Sequence, residues 1–182
     1  LAAAKFLNVP FDSVQKCFFK NNQKINIERI SWVDLWKHIA RELGVPNKCD
    51  NMDDFIRTWD ANQQLNQDII ALIRRLRTHE YKIGLLSNYS DGTLLRKQLD
   101  QQGISDCFDT IVISSEIGFM KPQAEAFLKF CSLLDVLPHE LIFIDDTQKS
   151  FETVDQVRYT PLLFEDSSSL SHKLKALGIV CA

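Results

Sequence analysis

The sequence predicts an α/β protein in which a parallel sheet follows an all-helical segment. Only helical patterns occur from residue 1 to about residue 66. From residue 67 to residue 182, helical patterns alternate with short apolar runs of strand length. Such alternation is typical of βα units, whose strands lie parallel in one sheet. We therefore predict a helical domain over 1–66 and an α/β core over 67–182.

The helical domain is predicted from one capped amphipathic helix and its neighbours. Ser31 is a suitable N-cap, Asp34 stands three residues later as in a capping box, and Gly44 and Pro46 end the helix. Within it, apolar residues recur at helical spacing: Trp32, Leu35, Trp36, Ile39 and Leu43. Further apolar stripes flank this helix, at 6–9, 14–19 and 55–59. We interpret these Trp and Phe side chains as the core of a helical bundle rather than as a cofactor site.

The core is predicted from the order of its strands and helices. The predicted strands span 81–86, 110–114, 141–145 and 161–164. Three predicted helices span 67–78, 151–157 and 170–177. Two more lie between them: one is capped by Asp91 and ends at Gly103, and the other has Pro122 at its first position. Each strand is thus preceded or followed by a helix that can cover the sheet.

Composition and charge exclude several classes of protein. The 182 residues include 45% hydrophobic and 25% charged side chains, with a formal net charge of −3. These values fit an ordinary globular protein, and the charge lacks the excess of basic residues expected of a dedicated nucleic-acid or anionic-membrane binder. No apolar stretch reaches the ~18 residues of a membrane span, and no signal peptide is evident. The five cysteines are widely spread with no C-x-x-C pair, so we expect reduced thiols and a cytoplasmic protein.

Polar residues collect where three of the predicted strands end. Ser87-Asn88 follows the first strand, Lys121-Pro122 lies beyond the second, and Asp145-Asp146 ends the third. Ligands of open parallel sheets bind at this edge. A hydroxyl with backbone N–H groups and a lysine can hold a phosphate, and carboxylate oxygens suit Mg²⁺. The alternative is structural: a turn at Ser87-Asn88, a solvated Lys121, and acids that only cap the helix near residue 151.

At these positions the sequence resembles the haloacid dehalogenase-like hydrolase superfamily. The segments 84–88, 118–122 and 141–147 are similar to its second, third and fourth motifs, in that order, and 1–66 resembles the helical cap that one branch inserts before them. The resemblance implies a Rossmann-like core, with Ser87 and Asn88 binding phosphate. It also implies Lys121 as the charge that steadies nucleophile and phosphate, Asp146 as a Mg²⁺ ligand, and Asp145 beside it as a catalytic and metal-site residue. Ser150 stands where family members often have Asn.

The first motif of that superfamily is missing from the chain. The motif is Asp-x-Asp at the end of the first core strand; its first Asp attacks phosphorus and its second is the general acid and base. No Asp-x-Asp occurs in the 182 residues, and Asp12 lies between helical stripes, where a helix-cap role is favoured. The chain is then either a fragment of an enzyme or a relative that lost catalysis. Retention of Ser87, Lys121 and Asp146 favours the fragment. A protein without catalysis has no physical reason to keep a lysine and two acids at one sheet edge, where the acids repel each other and the ions must be desolvated.

The missing strand makes a specific structural prediction. By resemblance it belongs in the middle of the sheet, between the strands that end at Ser87 and Asp145. Because both neighbours would otherwise expose backbone hydrogen-bonding groups, we expect a gap, a filled slot or direct pairing of the two strands.

The predicted function is Mg²⁺-dependent hydrolysis of a small phosphomonoester by an enzyme of which this chain is a part. A signalling receiver domain has similar residues but places its acidic pair first, so chain order rejects it. A metal-independent haloacid dehalogenase would share the fold without needing Asp145 and Asp146. A catalytically inactive binding protein of the same fold is the third possibility.

Overall fold

The computed structural model describes residues 2–21, 30–61, 64–89 and 91–180. They form two compact units whose boundary lies between Gln64 and Leu65. No helix in these ranges is long and apolar enough to cross a membrane.

The first unit is helical. Its helices are α1 (Ala2–Leu7), α2 (Phe11–Asn21), α3 (Trp32–Glu42) and α4 (Met52–Ala61), with a 3₁₀ helix at Pro46–Asn51. Ser31 caps α3 as predicted: its Oγ accepts the Asp34 N–H at 3.0 Å and donates to the Asp34 carboxylate at 2.7 Å.

Aromatic rings and aliphatic side chains fill the interior of this unit. Leu7, Leu35, Ile39 and Met52 are fully buried. Rings from all four helices pack in one continuous series: Phe6, Phe55, Trp59, Trp32, Trp36 and Phe18. The aromatic stripes therefore build a helical core, as the sequence predicted.

The second unit alternates strands and helices. The strands are β1 (Gly84–Ser87), β2 (Thr110–Ile113), β3 (Ile142–Asp145) and β4 (Thr160–Leu163). The helices are α5 (Gln67–Thr78), α6 (Gly92–Gln101), α7 (Ser114–Ile117), α8 (Ala124–Leu134), α9 (Val154–Val157) and α10 (Ser167–Ala176). Short 3₁₀ helices lie at Ser105–Cys107, Pro138–Glu140 and Gln148–Phe151.

The strands pair in parallel, in two pairs. β1 pairs with β2, from Gly84 opposite Thr110 to Ser87 opposite Ile113. β3 pairs with β4, from Ile142 opposite Thr160 to Asp145 opposite Leu163. Among the described residues, no strand joins β1 to β3. Of the three predicted outcomes for the missing strand, direct pairing of β1 with β3 is therefore not found among the described residues, and a gap or a filled slot stays the prediction.

The same helices cover both strand pairs. On one face, α8 residues Phe127 and Phe130 pack with Leu86 of β1 and Phe143 of β3. On the other face, α5 packs with both pairs: its Leu72 and Leu76, together with Leu170 and Leu174 of α10, pack with Ile142 and Leu162, and its Ile70 packs with Leu85 and Ile111. The two pairs are thus parts of one layer between helices, which is an α/β core with a parallel sheet.

Several boundaries differ from the prediction. β1 begins at Gly84 rather than at residue 81, because Tyr81 and Ile83 lead into the strand as packing residues outside the ladder. The helix predicted from Pro122 begins at Ala124, because the Met120–Gln123 turn precedes it, closed by a 2.8 Å bond from the Gln123 N–H to the Met120 carbonyl. Helix α7 was not predicted at all.

Candidate active site

The three polar motifs meet at the ends of the parallel strands. Ser87 is the last residue of β1, and Asp145 is the last residue of β3. Lys121 lies in the loop between α7 and α8, and hydrogen bonds join it to both Asn88 and Asp145. Residues 24 and 33 positions apart in sequence are thereby brought within 3 Å, at the edge where parallel sheets bind ligands.

Lys121 and Asp145 form a buried ion pair. Lys121 Nζ lies 2.7 Å from Asp145 Oδ2, and the two side chains are only 14% and 8% exposed. The ammonium also lies 5.3 Å above the Phe143 ring, within the range of a cation–π contact. The structural alternative of a solvated Lys121 is therefore wrong, because the ammonium is paired with the Asp145 carboxylate and largely shielded from solvent.

Asp145 has a second partner in its own loop. Its Oδ1 accepts the Thr147 N–H at 2.8 Å, so the carboxylate closes a turn two residues long while it pairs with Lys121. Both oxygens of Asp145 are thus engaged. The acids do not cap the following 3₁₀ helix, whose N-terminal residue Thr147 makes no side-chain capping bond.

Asp146 has a more accessible carboxylate than Asp145. It is exposed, and one hydrogen bond is formed to its carboxylate, from the Thr147 hydroxyl at 3.3 Å. Mg²⁺ is commonly held by one or two carboxylates with substrate phosphates and waters completing its shell. Asp146 fits such a ligand. Within the described ranges, however, no group of three or more His, Cys, Asp or Glu side chains could hold a metal by itself.

Both polar atoms of the Asn88 side chain form hydrogen bonds with the backbone of Lys121. Its Nδ2 donates to the Lys121 carbonyl at 2.9 Å, and its Oδ1 accepts the Lys121 N–H at 2.8 Å. This reciprocal pair ties the turn after β1 to the loop that carries the lysine. Phosphate binding by Ser87 and Asn88 remains a prediction, and in this arrangement Asn88 would contribute through its backbone.

Side chains that the sequence reasoning did not select also hold the Lys121 loop. Gln123 Oε1 accepts the Met120 N–H at 2.8 Å, and the Thr153 hydroxyl donates to the Pro122 carbonyl at 2.6 Å. Ser114, which is 2% exposed, accepts the Tyr89 N–H and donates to the Tyr89 carbonyl. Ser114 follows the end of β2 directly, so the rule that selected polar residues at strand ends could have found it.

A buried tyrosine lies behind the acidic pair. Tyr159 is 4% exposed, stacks on Phe127 with ring centroids 4.7 Å apart, and donates its hydroxyl to the Ser150 carbonyl at 3.3 Å. Burial raises the pKa of Tyr159, and the charge of Asp145 acts in the same direction. Tyr159 is therefore a neutral hydrogen-bond donor that supports the loop around Ser150.

Comparison with protein families gives one match over most of the chain. The model described as haloacid dehalogenase-like hydrolase matches residues 11–157.

Curated relatives match shorter stretches. The chain is 33% identical over 113 residues to a bifunctional riboflavin kinase/FMN phosphatase of Arabidopsis thaliana, covering 60% of this chain and 30% of that protein. It is 31% identical over 81 residues to a glyceraldehyde 3-phosphate phosphatase of Methanopyrus kandleri, covering 43% and 34%. It is 23% identical over 97 residues to pyrophosphatase PpaX of Bacillus cereus, covering 53% and 41%. The chain thus spans 30% to 41% of the length of these relatives.

Solved structures share the fold. A HAD phosphatase from Thermococcus onnurineus aligns with a TM-score of 0.61 at 18% identity, covering 94% of this chain and 93% of that one. L-2-haloacid dehalogenase from Xanthobacter autotrophicus aligns with a TM-score of 0.65 at 16% identity, covering 91% and 69%.

Proposed function

The chain belongs to the haloacid dehalogenase-like hydrolases, and within that family we propose that it is part of a Mg²⁺-dependent phosphatase acting on a small phosphomonoester. The observation that supports this most is the joining of Asn88, Lys121 and Asp145 at one sheet edge, with the exposed carboxylate of Asp146 beside them. The phosphatase names of three relatives agree with it.

Each residue then has a separate task. The Ser87 hydroxyl and the N–H groups of its turn donate to phosphate oxygens. Lys121 offsets the phosphate charge, and Asp145 orients Lys121 through the 2.7 Å ion pair. Asp146 is a ligand for Mg²⁺, which supplies further charge neutralisation when bound.

The nucleophile in this proposal comes from a strand outside the 182 residues. An aspartate of an Asp-x-Asp motif attacks phosphorus, and the ester oxygen leaves with a proton from the second aspartate. Water then releases phosphate from the aspartyl-phosphate. Two features support a strand slot: β1 and β3 each have one strand neighbour among the described residues, and Ile144 within β3 is 37% exposed. Strands of a sheet covered by helices on both faces are normally buried.

The helical unit is proposed to be the cap that covers the site and selects the substrate. Its support is the resemblance of residues 1–66 to the helical caps of one branch of the family. A cytoplasmic location is proposed from the thiols, since Cys17, Cys49, Cys107 and Cys131 are all free.

The decisive experiment uses the whole natural protein, with whatever sequence precedes these residues. Sugar, nucleotide and other small phosphate esters are assayed with and without Mg²⁺, and 2-haloalkanoic acids are assayed as substrates of the alternative reaction. We expect phosphate release that requires Mg²⁺. At the Mg²⁺ concentration that half-saturates the wild type, it should be strongly reduced in Asp146→Asn but retained in Asp155→Asn, a change at an exposed acid on α9. Halide release without metal would identify a dehalogenase, and no turnover of any substrate would favour a binding protein.

A further inference from the structure

A buried hydroxyl beyond the three motifs holds the turn after β1. Ser114 Oγ accepts the Tyr89 N–H at 3.1 Å and donates to the Tyr89 carbonyl at 3.3 Å. One side chain thus satisfies both backbone groups of Tyr89. Because Ser114 is 2% exposed, water cannot replace the hydroxyl without a rearrangement.

The position of Ser114 follows from the strand register. The parallel ladder between β1 and β2 ends at Ser87 opposite Ile113. Ser114 is the next residue after that last pair, where β2 gives way to α7. Its hydroxyl therefore continues the connection between the two strands at the point where backbone pairing stops.

From Tyr89 the connection continues to the lysine. Tyr89 follows Asn88 directly, and the Asn88 amide holds the Lys121 backbone by bonds of 2.8 and 2.9 Å. Lys121 in turn pairs with Asp145. Hydrogen bonds from Ser114 to Tyr89 and from Asn88 to Lys121, joined by the Asn88–Tyr89 peptide, thus connect Ser114 to the charged centre of the site.

We infer that Ser114 is a positioning residue: by fixing Tyr89 it fixes Asn88, and through Asn88 it sets where Lys121 presents its ammonium. The inference deepens the proposed function, and its catalytic consequence rests on that function. The structural coupling between Ser114 and Lys121 is independent of the proposed function.

The structural part is tested by amide hydrogen exchange in the Ser114→Ala variant. Loss of the hydroxyl should speed exchange of the Tyr89 N–H by about tenfold, the equivalent of one hydrogen bond. If Ser114 acts through Asn88, the Lys121 N–H should also exchange several-fold faster, while the Leu162 N–H in β4 should not. Faster exchange at Tyr89 alone, or equal acceleration at all three amides, would overturn the inference.

Two further variants complete this test. Ser171→Ala removes a half-buried hydroxyl that bonds only within α10, and it should leave the Tyr89 and Lys121 amides unchanged. Ser114→Cys keeps the approximate size of the side chain but forms a weaker hydrogen bond, so exchange of the Tyr89 and Lys121 amides should be intermediate between wild type and Ser114→Ala. This variant replaces Ser114→Ala in the test if Ser114→Ala does not fold.

The catalytic part is tested in the whole enzyme once a substrate is known. Ser114→Ala should lower kcat about tenfold, because a misplaced charge stabilises the transition state less. Ser114→Thr, which keeps the hydroxyl, should restore most of the rate. Normal kcat in Ser114→Ala would reject the positioning role. Absence of phosphatase activity in the wild-type enzyme would instead reject the proposed function and leave the exchange result standing.

Discussion

Lys121 Nζ and Asp145 Oδ2 lie 2.7 Å apart in a nearly buried ion pair that joins the loop between α7 and α8 to the end of β3. This pair is both a structural element and the charged centre of the proposed site. A buried pair is costly to break on one side only, since the remaining charge loses its partner without regaining water. The stability of the protein and the geometry of the site therefore depend on the same contact.

The first prediction is that Lys121→Met destabilises the fold. An exposed lysine could be removed without such a cost, but here removal leaves the Asp145 carboxylate, which is only 8% exposed, without its charged partner. We expect a loss of about 3 kcal/mol in the free energy of unfolding, measured by urea denaturation. The double variant Lys121→Met/Asp145→Asn should lose less than the single variant. Additive losses would show that the two side chains do not interact.

The second prediction separates the two adjacent acids. Asp146→Asn changes an exposed side chain, so its stability should stay within about 0.5 kcal/mol of wild type. Asp145→Asn should be clearly less stable, because it leaves the Lys121 ammonium unpaired. In the whole enzyme, Asp146→Asn should raise the Mg²⁺ concentration for half-maximal activity at least about tenfold. Substitution of residues that only orient a metal ligand already lowers metal affinity by about that factor. Unchanged Mg²⁺ dependence would reject Asp146 as a ligand.

The third prediction concerns the close contact of β1 with α8. A Cβ added at Gly84 would lie 2.4 Å from Cζ of Phe130, a ring that is 2% exposed. Gly84→Ala should therefore lower the free energy of unfolding by about 1 to 3 kcal/mol through overpacking. Adding Phe130→Leu should recover part of that loss, because it shortens the clashing side chain. Thermal denaturation of the single and double variants measures both effects, and equal stability of Gly84→Ala and wild type would contradict the contact.

The fourth prediction is a pH dependence located in the helical unit. Hydrogen bonds that Lys20 and Asn21 donate to the Glu42 carboxylate lower its pKa to about 2, and the bond from Lys20 has the larger effect. Because this pKa is lower in the folded state, the Glu42 contribution to stability is complete above the ordinary glutamate pKa. It is lost as the pH falls toward about 2.

Urea denaturation of the wild type and two variants from pH 6 to pH 2 measures this contribution. Glu42→Gln should show a shallower loss of stability below pH ~4.5 than wild type. Lys20→Met should show most of the same effect, since the Lys20 bond is the largest cause of the shift. Parallel stability curves for all three proteins would contradict the assignment.

Local patterns in the sequence predicted most of the secondary structure. Ser31, Asp91 and Asp166 each cap the helix that follows, and the first two were recognised as caps from sequence. The four strands lie within three residues of their predicted starts. These features depend on neighbouring residues only, so spacing and residue type suffice to find them. The boundaries at Gly84 and Ala124 were missed because contacts with distant residues or a turn decide them.

The sequence by itself determined the order of the motifs, the parallel α/β class and which residues gather at the strand ends. The partners of those residues were decided only by the tertiary structure. Lys121 is a buried ion-pair partner rather than a solvated charge, Asn88 holds a backbone, and Ser114 supports the turn beside it. The physical reason is distance along the chain: these contacts join residues 24, 33 and 25 positions apart, and only strand pairing and helix packing bring them together.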